Sequence, residues 1–155
     1  MTPASQTRLV PCLFDRLTDL EPRSRREIPL TAWEQMQQIK QSVARDLTNL
    51  LNTRRSEADI PEEFEKTNQS VAAYGIQDFT SSPVDGEQMR RAIEKSARTF
   101  EPRLTHVAVQ MRKSGEFELE FRIVAMLRID VRSEPVVFDT ILPKHSRRFQ
   151  VVEGR

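Results

Sequence analysis

Two periods of apolar residues divide the chain. Near the N-terminus Val10, Leu13, Phe14, Leu17 and Leu20 recur at steps of three and four, the stripe of a short amphipathic helix. Pro11 sits near its start and Pro22 follows its end, with Asp15, Arg16 and Asp19 on the wet side. The charged stretch up to Pro29 reads as a linker. Thr31 and Glu34 have the spacing of a capping box. Behind them Trp33, Met36, Ile39, Val43, Leu47, Leu50 and Leu51 mark one face of a long helix ending around residues 52–55. Its other face carries Gln37, Gln38, Gln41, Arg45 and Thr48.

Residues 56–82 are irregular. The spacing predicts a turn over residues 61–66 and another over 70–74, with Gly75 supplying a left-handed closing residue. Ser82 and Asp85 have the spacing of a second capping box, with Pro83 at the first helical position. Met89, Ala92, Ile93, Ala97 and Phe100 then follow at helical spacing, and Pro102 disfavours helical geometry at Glu101. From Arg103 the period is two. Val107, Val109 and Met111 alternate with polar or small residues, and Ser114-Gly115 offers a hairpin turn. Residues 117–131 alternate strictly, with Phe117, Leu119, Phe121, Ile123, Ala125, Leu127, Ile129 and Val131 on one face. A turn at Ser133 and Glu134 leads to a strand over 135–142, and residues 149–152 predict a short last strand. Helices first and strands last argue α+β, with the N-terminal helices packed on one face of a mainly antiparallel C-terminal sheet. The domain reading is a tail over 1–30 and a single α+β domain over 31–155.

Composition sharpens this picture. With 155 residues the chain suits one domain. A net charge of +1, from 24 basic and 23 acidic residues, argues against a role centred on nucleic acid or anionic lipid. Cys12 is the one cysteine, so no internal disulfide forms, and its place in an apolar stripe makes it a small hydrophobe. No run reaches the ~20 apolar residues of a membrane span. The early charges Arg8, Asp15 and Arg16 interrupt any signal-like run, and the expected location is cytoplasmic. Of the 24 basic residues 19 are arginine, which suits interfaces; a GC-rich genome produces the same excess.

Catalytic patterns are weak. His106 falls within a strand and His145 in a basic loop; either could pair with Cys12 as a thiol nucleophile, but the place of Cys12 in the apolar stripe argues for a buried hydrophobe instead. The glycines are isolated, metal-ligand spacing is lacking, and no cofactor is expected. A glycosidase needs two carboxylates roughly 5–10 Å apart across a cleft. Glu62, Glu63 and Glu65, or Glu118 and Glu120, are more simply a wet surface. Glu101-Pro102-Arg103 stands apart. It reads either as a helix stop with a local ion pair, or as an arginine fork held rigidly for a carboxylate on a partner.

In order along the chain stand Phe14-Asp-Arg-Leu17, Val43-Ala-Arg-Asp-Leu47 running into Leu50-Leu-Asn-Thr-Arg54, Ser70 with Tyr74-Gly75-Ile76, and Phe100-Glu-Pro-Arg-Leu104. Together they resemble the TssE family, the small baseplate subunit of bacterial type VI secretion systems. That family is similar to the baseplate wedge protein of contractile-tailed phages, often labelled lysozyme-like. The resemblance runs from about Leu13 to Val152; Cys12 stands where a small polar residue is common. It implies a structural protein without catalysis, bound to the TssF and TssG wedge subunits near TssK. It also implies a template for the TssB–TssC sheath around the Hcp tube. It assigns Glu101, Pro102 and Arg103 to wedge contacts. The apolar helix adds Leu13, Phe14, Arg16 and Leu17 as partner-binding residues, and the terminal strand adds Val151 as a sheath contact. A small peptidoglycan hydrolase and a soluble regulatory adaptor are the rival classes.

Overall fold

The computed structural model describes Leu17 and residues 31–55, 61, 63–79, 85–114, 118–129, 132–143 and 145–154. The expected tail helix lies outside the described residues except for Leu17, which is helical and 76% exposed. The linker, Cys12, Ser82, Phe117 and Val131 also lie outside them.

Helix α1 (Ala32–Asn52) begins at the capping box expected from its sequence. Glu34 N donates to Thr31 Oγ1 at 3.2 Å, and Thr31 N donates to the Glu34 carboxylate at 2.8 Å. Val43, Leu47, Leu50 and Leu51 are buried, and Met36 and Ile39 pack against the core from its rim. Trp33 departs from the expected stripe and is 70% exposed. It sits in the first turn, ahead of the part of the helix that meets the sheet. After α1 come the four-residue α2 (Glu65–Asn68) and a 3-10 turn (Val71–Ala73) capped by Ser70. Helix α3 (Gly86–Phe100) starts one turn later than the box at Ser82 predicted: Asp85 is the cap, accepting from Glu87 N at 2.9 Å. It ends where Pro102 requires, with Glu101 outside helical geometry.

Four strands follow, β1 (Leu104–Ser114), β2 (Glu118–Ile129), β3 (Arg132–Pro143) and β4 (Gln150–Glu153). They form one antiparallel sheet in the order β1-β2-β3-β4. Ser133 and Glu134, expected in a turn, are part of β3 and pair with Arg128 and Leu127. The pairing of β2 and β3 instead continues as far as Ile129 opposite Arg132. In β2 the alternation holds throughout: Leu119, Phe121, Ile123, Ala125, Leu127 and Ile129 are buried.

In β1 the pairing steps from Thr105 opposite Met126 to Ala108 opposite Val124, so one residue bulges. His106 takes up the slack with a φ of +53°, and Leu104 and Val107 can therefore both face inward. Met111 is 43% exposed, because the helical layer ends at Gly86, against which its sulfur rests.

The described helices cover one sheet face. Phe121 and Phe138 sit at the centre of the core, each nearly or fully buried. Burying a side chain of that size stabilises the fold by about 1.5–3 kcal/mol. Thr140 is fully buried beside them, and its Oγ1 has no partner among the described residues. An unpaired buried hydroxyl costs about 1–3 kcal/mol. Thr140→Val is therefore expected to raise stability by about 1 kcal/mol in urea denaturation. A clear loss would mean that the hydroxyl is paired.

Candidate interaction site

Three polar constellations tie the layers together, and each contains residues that the sequence singles out. The first surrounds Arg103. Pro102 turns the chain between α3 and β1, which brings the Arg103 guanidinium back over Glu101. Nε donates to Glu101 Oε1 at 2.7 Å and Nη2 to Oε2 at 2.6 Å, a parallel fork. The same guanidinium reaches α1, donating from Nη1 to Ser42 Oγ at 3.1 Å and from Nη2 to Asp46 Oδ2 at 2.6 Å. Ser42 and Asp46 are four apart and so share a helix face.

Glu101 is buried, with 4% exposure, whereas the Arg103 side chain keeps 25% and Asp46 32%. Burial alone would lower the guanidinium's pKa, but the bonds and charges of Glu101 and then Asp46 outweigh it and raise it above the ordinary arginine value. Tyr74 belongs to the same neighbourhood: its ring meets Phe100 edge-on at 5.4 Å. Burial, with the carboxylates of Asp46 and Glu101 adding to it, pushes the Tyr74 hydroxyl above its usual range.

The second constellation joins the end of α1 to the segment around Gly75. Ile76 N donates to Thr53 O at 3.0 Å and Arg55 N to Ile76 O at 2.8 Å, a short parallel bridge. Ser96 Oγ of α3 donates to Gly75 O at 2.9 Å, and Arg54 pairs with Asp78 at 3.0 Å. Asn52 bonds both main-chain groups of Phe149 at 2.9 Å, as a neighbouring strand would.

The third concerns the sheet edges. Over Val107 and Val109 the outer edge of β1 is covered by α3. Arg98 donates to Val107 O at 2.7 and 3.0 Å, Arg90 donates to Val109 O at 3.2 Å, and Val109 N donates to Glu94 at 3.3 Å. At the other edge β4 covers only the stretch of β3 from Phe138 to Ile141, with Gly154 N donating to Val137 O at 2.8 Å. That bond sets the alternation: Gln150 and Val152 turn their main-chain groups to β3, and Val151 and Glu153 turn theirs outward. The outward groups of Phe149 are taken by Asn52, so among the described residues the unpaired row begins at Val151. By the same alternation the uncovered part of β3 presents Pro135 outward, where proline has no N–H to offer.

The structure thus brings Glu101 and Arg103 together, with Pro102 exposed between them. Val151 lies on the sheet edge opposite the one that Arg103 leads into; its side chain is buried and its main chain faces out. Leu13, Phe14 and Arg16 lie outside the described residues. The sequence reading missed Ser42 and Asp46 as partners of Arg103 and Asn52 as the cap of β4. Ser42 is the detectable one, a polar residue inside an apolar stripe.

The architecture is that of a small α+β domain, with polar clusters fastening its layers and one sheet edge unpaired among the described residues. The profile of the baseplate wedge protein gp25 family matches residues 37–131, more than half of the 155. The chain belongs to that family, and its role is structural, in a baseplate of the phage-tail type beside other baseplate subunits. The match spans most of α1, all of α3 and the β1–β2 hairpin; β3 and β4 lie beyond it. No curated protein and no solved structure matches the chain. Among the described residues, no helix is long and apolar enough to cross a membrane.

Proposed function

We propose that this chain is a TssE-type wedge subunit of a type VI secretion baseplate. In this reading it works in the cytoplasm, at a baseplate docked to the inner membrane complex. It binds TssF and TssG close to TssK, and it templates the first TssB–TssC sheath ring. It does so as a scaffold, without catalysis. The observation that carries the templating step is the asymmetry of the edges. Edge β1 is covered by α3 at Val107 and Val109 and its pairing shifts between Met111 and Lys113, the open part of β3 is blunted by Pro135, and among the described residues β4 keeps outward main-chain groups from Val151 on. A strand from a sheath subunit that pairs there gains affinity through main-chain bonds.

Proline at an outward position removes a donor without touching the ladder to β3. Cells carrying Val151→Pro are expected to assemble baseplates on which fluorescent sheaths do not grow. Sheaths extending at normal frequency would remove residues 136–152 from this role.

The wedge contacts fall to the tail helix and to the exposed corner at Pro102. Leu17 is 76% exposed, as a residue awaiting a partner groove would be. Phe14→Ala is expected to weaken TssF–TssG pull-down with little change in melting temperature; the opposite pattern would assign Leu13, Phe14, Arg16 and Leu17 to the chain's own core. For the corner, Pro102→Glu adds a charge where Arg103 is still accessible. Reduced pull-down at an unchanged melting temperature supports a wedge contact by Glu101, Pro102 and Arg103. Normal pull-down leaves them to the intramolecular cluster alone.

A further inference from the structure

The loop that leads into β4 has a charge that no described residue pairs with. His145, Arg147 and Arg148 are exposed, and none of their side chains has a partner among the described residues. Most other described arginines are engaged: Arg54, Arg90, Arg91, Arg98, Arg103 and Arg122 all hold carboxylates of this chain. The loop is nevertheless built to a shape. Arg147 N donates to Pro143 O at 2.9 Å, Ser146 Oγ caps the same turn, and Asn52 clamps Phe149 at its end. Arg147 itself holds a φ of +51°, a conformation that side chains other than glycine and asparagine seldom take. Two arginines thus stand on a shaped backbone within a few residues of the unpaired row at Val151.

At the far end of that row the charge is already settled. Glu153 pairs with Lys40 of α1 at 3.0 Å. The edge therefore has a positive end at Arg147 and Arg148 and a neutralised end at Glu153. We propose that β4 selects an extended partner segment that carries acidic residues at the end lying beside Arg147 and Arg148. Main-chain bonds hold the segment, and the two forks choose which segment it is and set its register. This rests on the edge reading above and adds the chemistry of the partner. It also gives the loop a purpose apart from connecting β3 to β4.

The test uses the full chain and three synthetic peptides of alternating threonine and valine, with neutral flanks, an aspartate-rich C-terminal flank or an aspartate-rich N-terminal flank. Binding is read by fluorescence anisotropy. One acidic-flanked peptide is expected to bind about fivefold more tightly than the neutral one at low salt, the size of one or two exposed ion pairs. That gain disappears in the Arg147→Ala/Arg148→Ala double variant and at about 1 M salt, where charges are screened within ~3 Å. Val151→Pro and, as a variant that spares the core, Glu153→Pro are expected to weaken all three peptides alike. Equal binding of neutral and acidic peptides, still sensitive to the proline variants, overturns the charge selection and leaves the open edge standing. An acidic peptide that binds the proline variants unchanged overturns both, since the forks then act without the edge.

Discussion

Gly75→Ala is expected to lower the melting temperature by about 10 °C or more, corresponding to about 3 kcal/mol for a chain of this size. The backbone at Gly75 has a φ of +110°, where an L side chain is strained whatever the space. Space is lacking as well: a Cβ there would stand 2.3 Å from Thr53 O and 2.9 Å from Thr53 C, both main-chain atoms. Neither can move without opening the bridge in which Thr53 O accepts from Ile76 N. The same shift would strain the bond from Ser96 to Gly75 O, so α1 and α3 both feel it. Gly154→Ala is the control. Its Cβ would meet Val137 Cγ1 at 2.8 Å and Asp139 Oδ2 at 2.9 Å, both side-chain atoms near the surface, and its φ is not positive. Thermal melts of the two variants should differ severalfold in their shifts. Similar shifts would mean that the bridge to Thr53 is not a constraint on the fold.

Arg103→Met is expected to cost about 3–5 kcal/mol, the range for breaking a buried pair by deleting one partner. Glu101 is 4% exposed and would be left with its charge and no guanidinium. Arg103→Lys is expected to recover only part of this. A single ammonium cannot make the parallel fork to Glu101 and also reach Ser42 and Asp46. The double variant Glu101→Leu/Arg103→Met removes both charges of the pair and should be more stable than Arg103→Met alone. Urea titrations of the three proteins settle the point. A double variant no better than Arg103→Met would mean that Arg103 acts mainly through Asp46 and Ser42. Lysine at this position fails for structural reasons already, so loss of secretion in Arg103→Lys does not by itself identify a partner contact.

These two sites show why the segments that carry the family resemblance lie where they do in sequence. The run from Leu50 to Arg54 meets Tyr74-Gly75-Ile76 across one short bridge, and the Glu-Pro-Arg corner grips the helix turn at Ser42 and Asp46. Segments tens of residues apart each carry one half of an intramolecular junction.

Local patterns were enough for the capping box at Thr31, the end of α3 before Pro102, the strict alternation of β2 and the short last strand. In each case the cause is within a few residues: a cap bond, the geometry imposed by proline, or the two-residue period of a pleated surface. The class of fold followed from their order. The position of the β2–β3 turn did not, because Ser133 and Glu134 look like turn residues until β2 is there to pair with them. The exposure of Trp33 did not either, since a helix's own stripe does not say where the layer beneath it ends. Least legible was which carboxylates Arg103 would hold. Asp46 lies fifty-seven positions away, and only the packing of α1 against the α3–β1 corner brings the two within 2.6 Å. The same holds for the sheet edges: the sequence shows that β4 is short, but the cover that α3 gives Val107 and Val109, the capping of Phe149 by Asn52 and the outward turn of Val151 all depend on how elements meet, decided by tertiary packing alone.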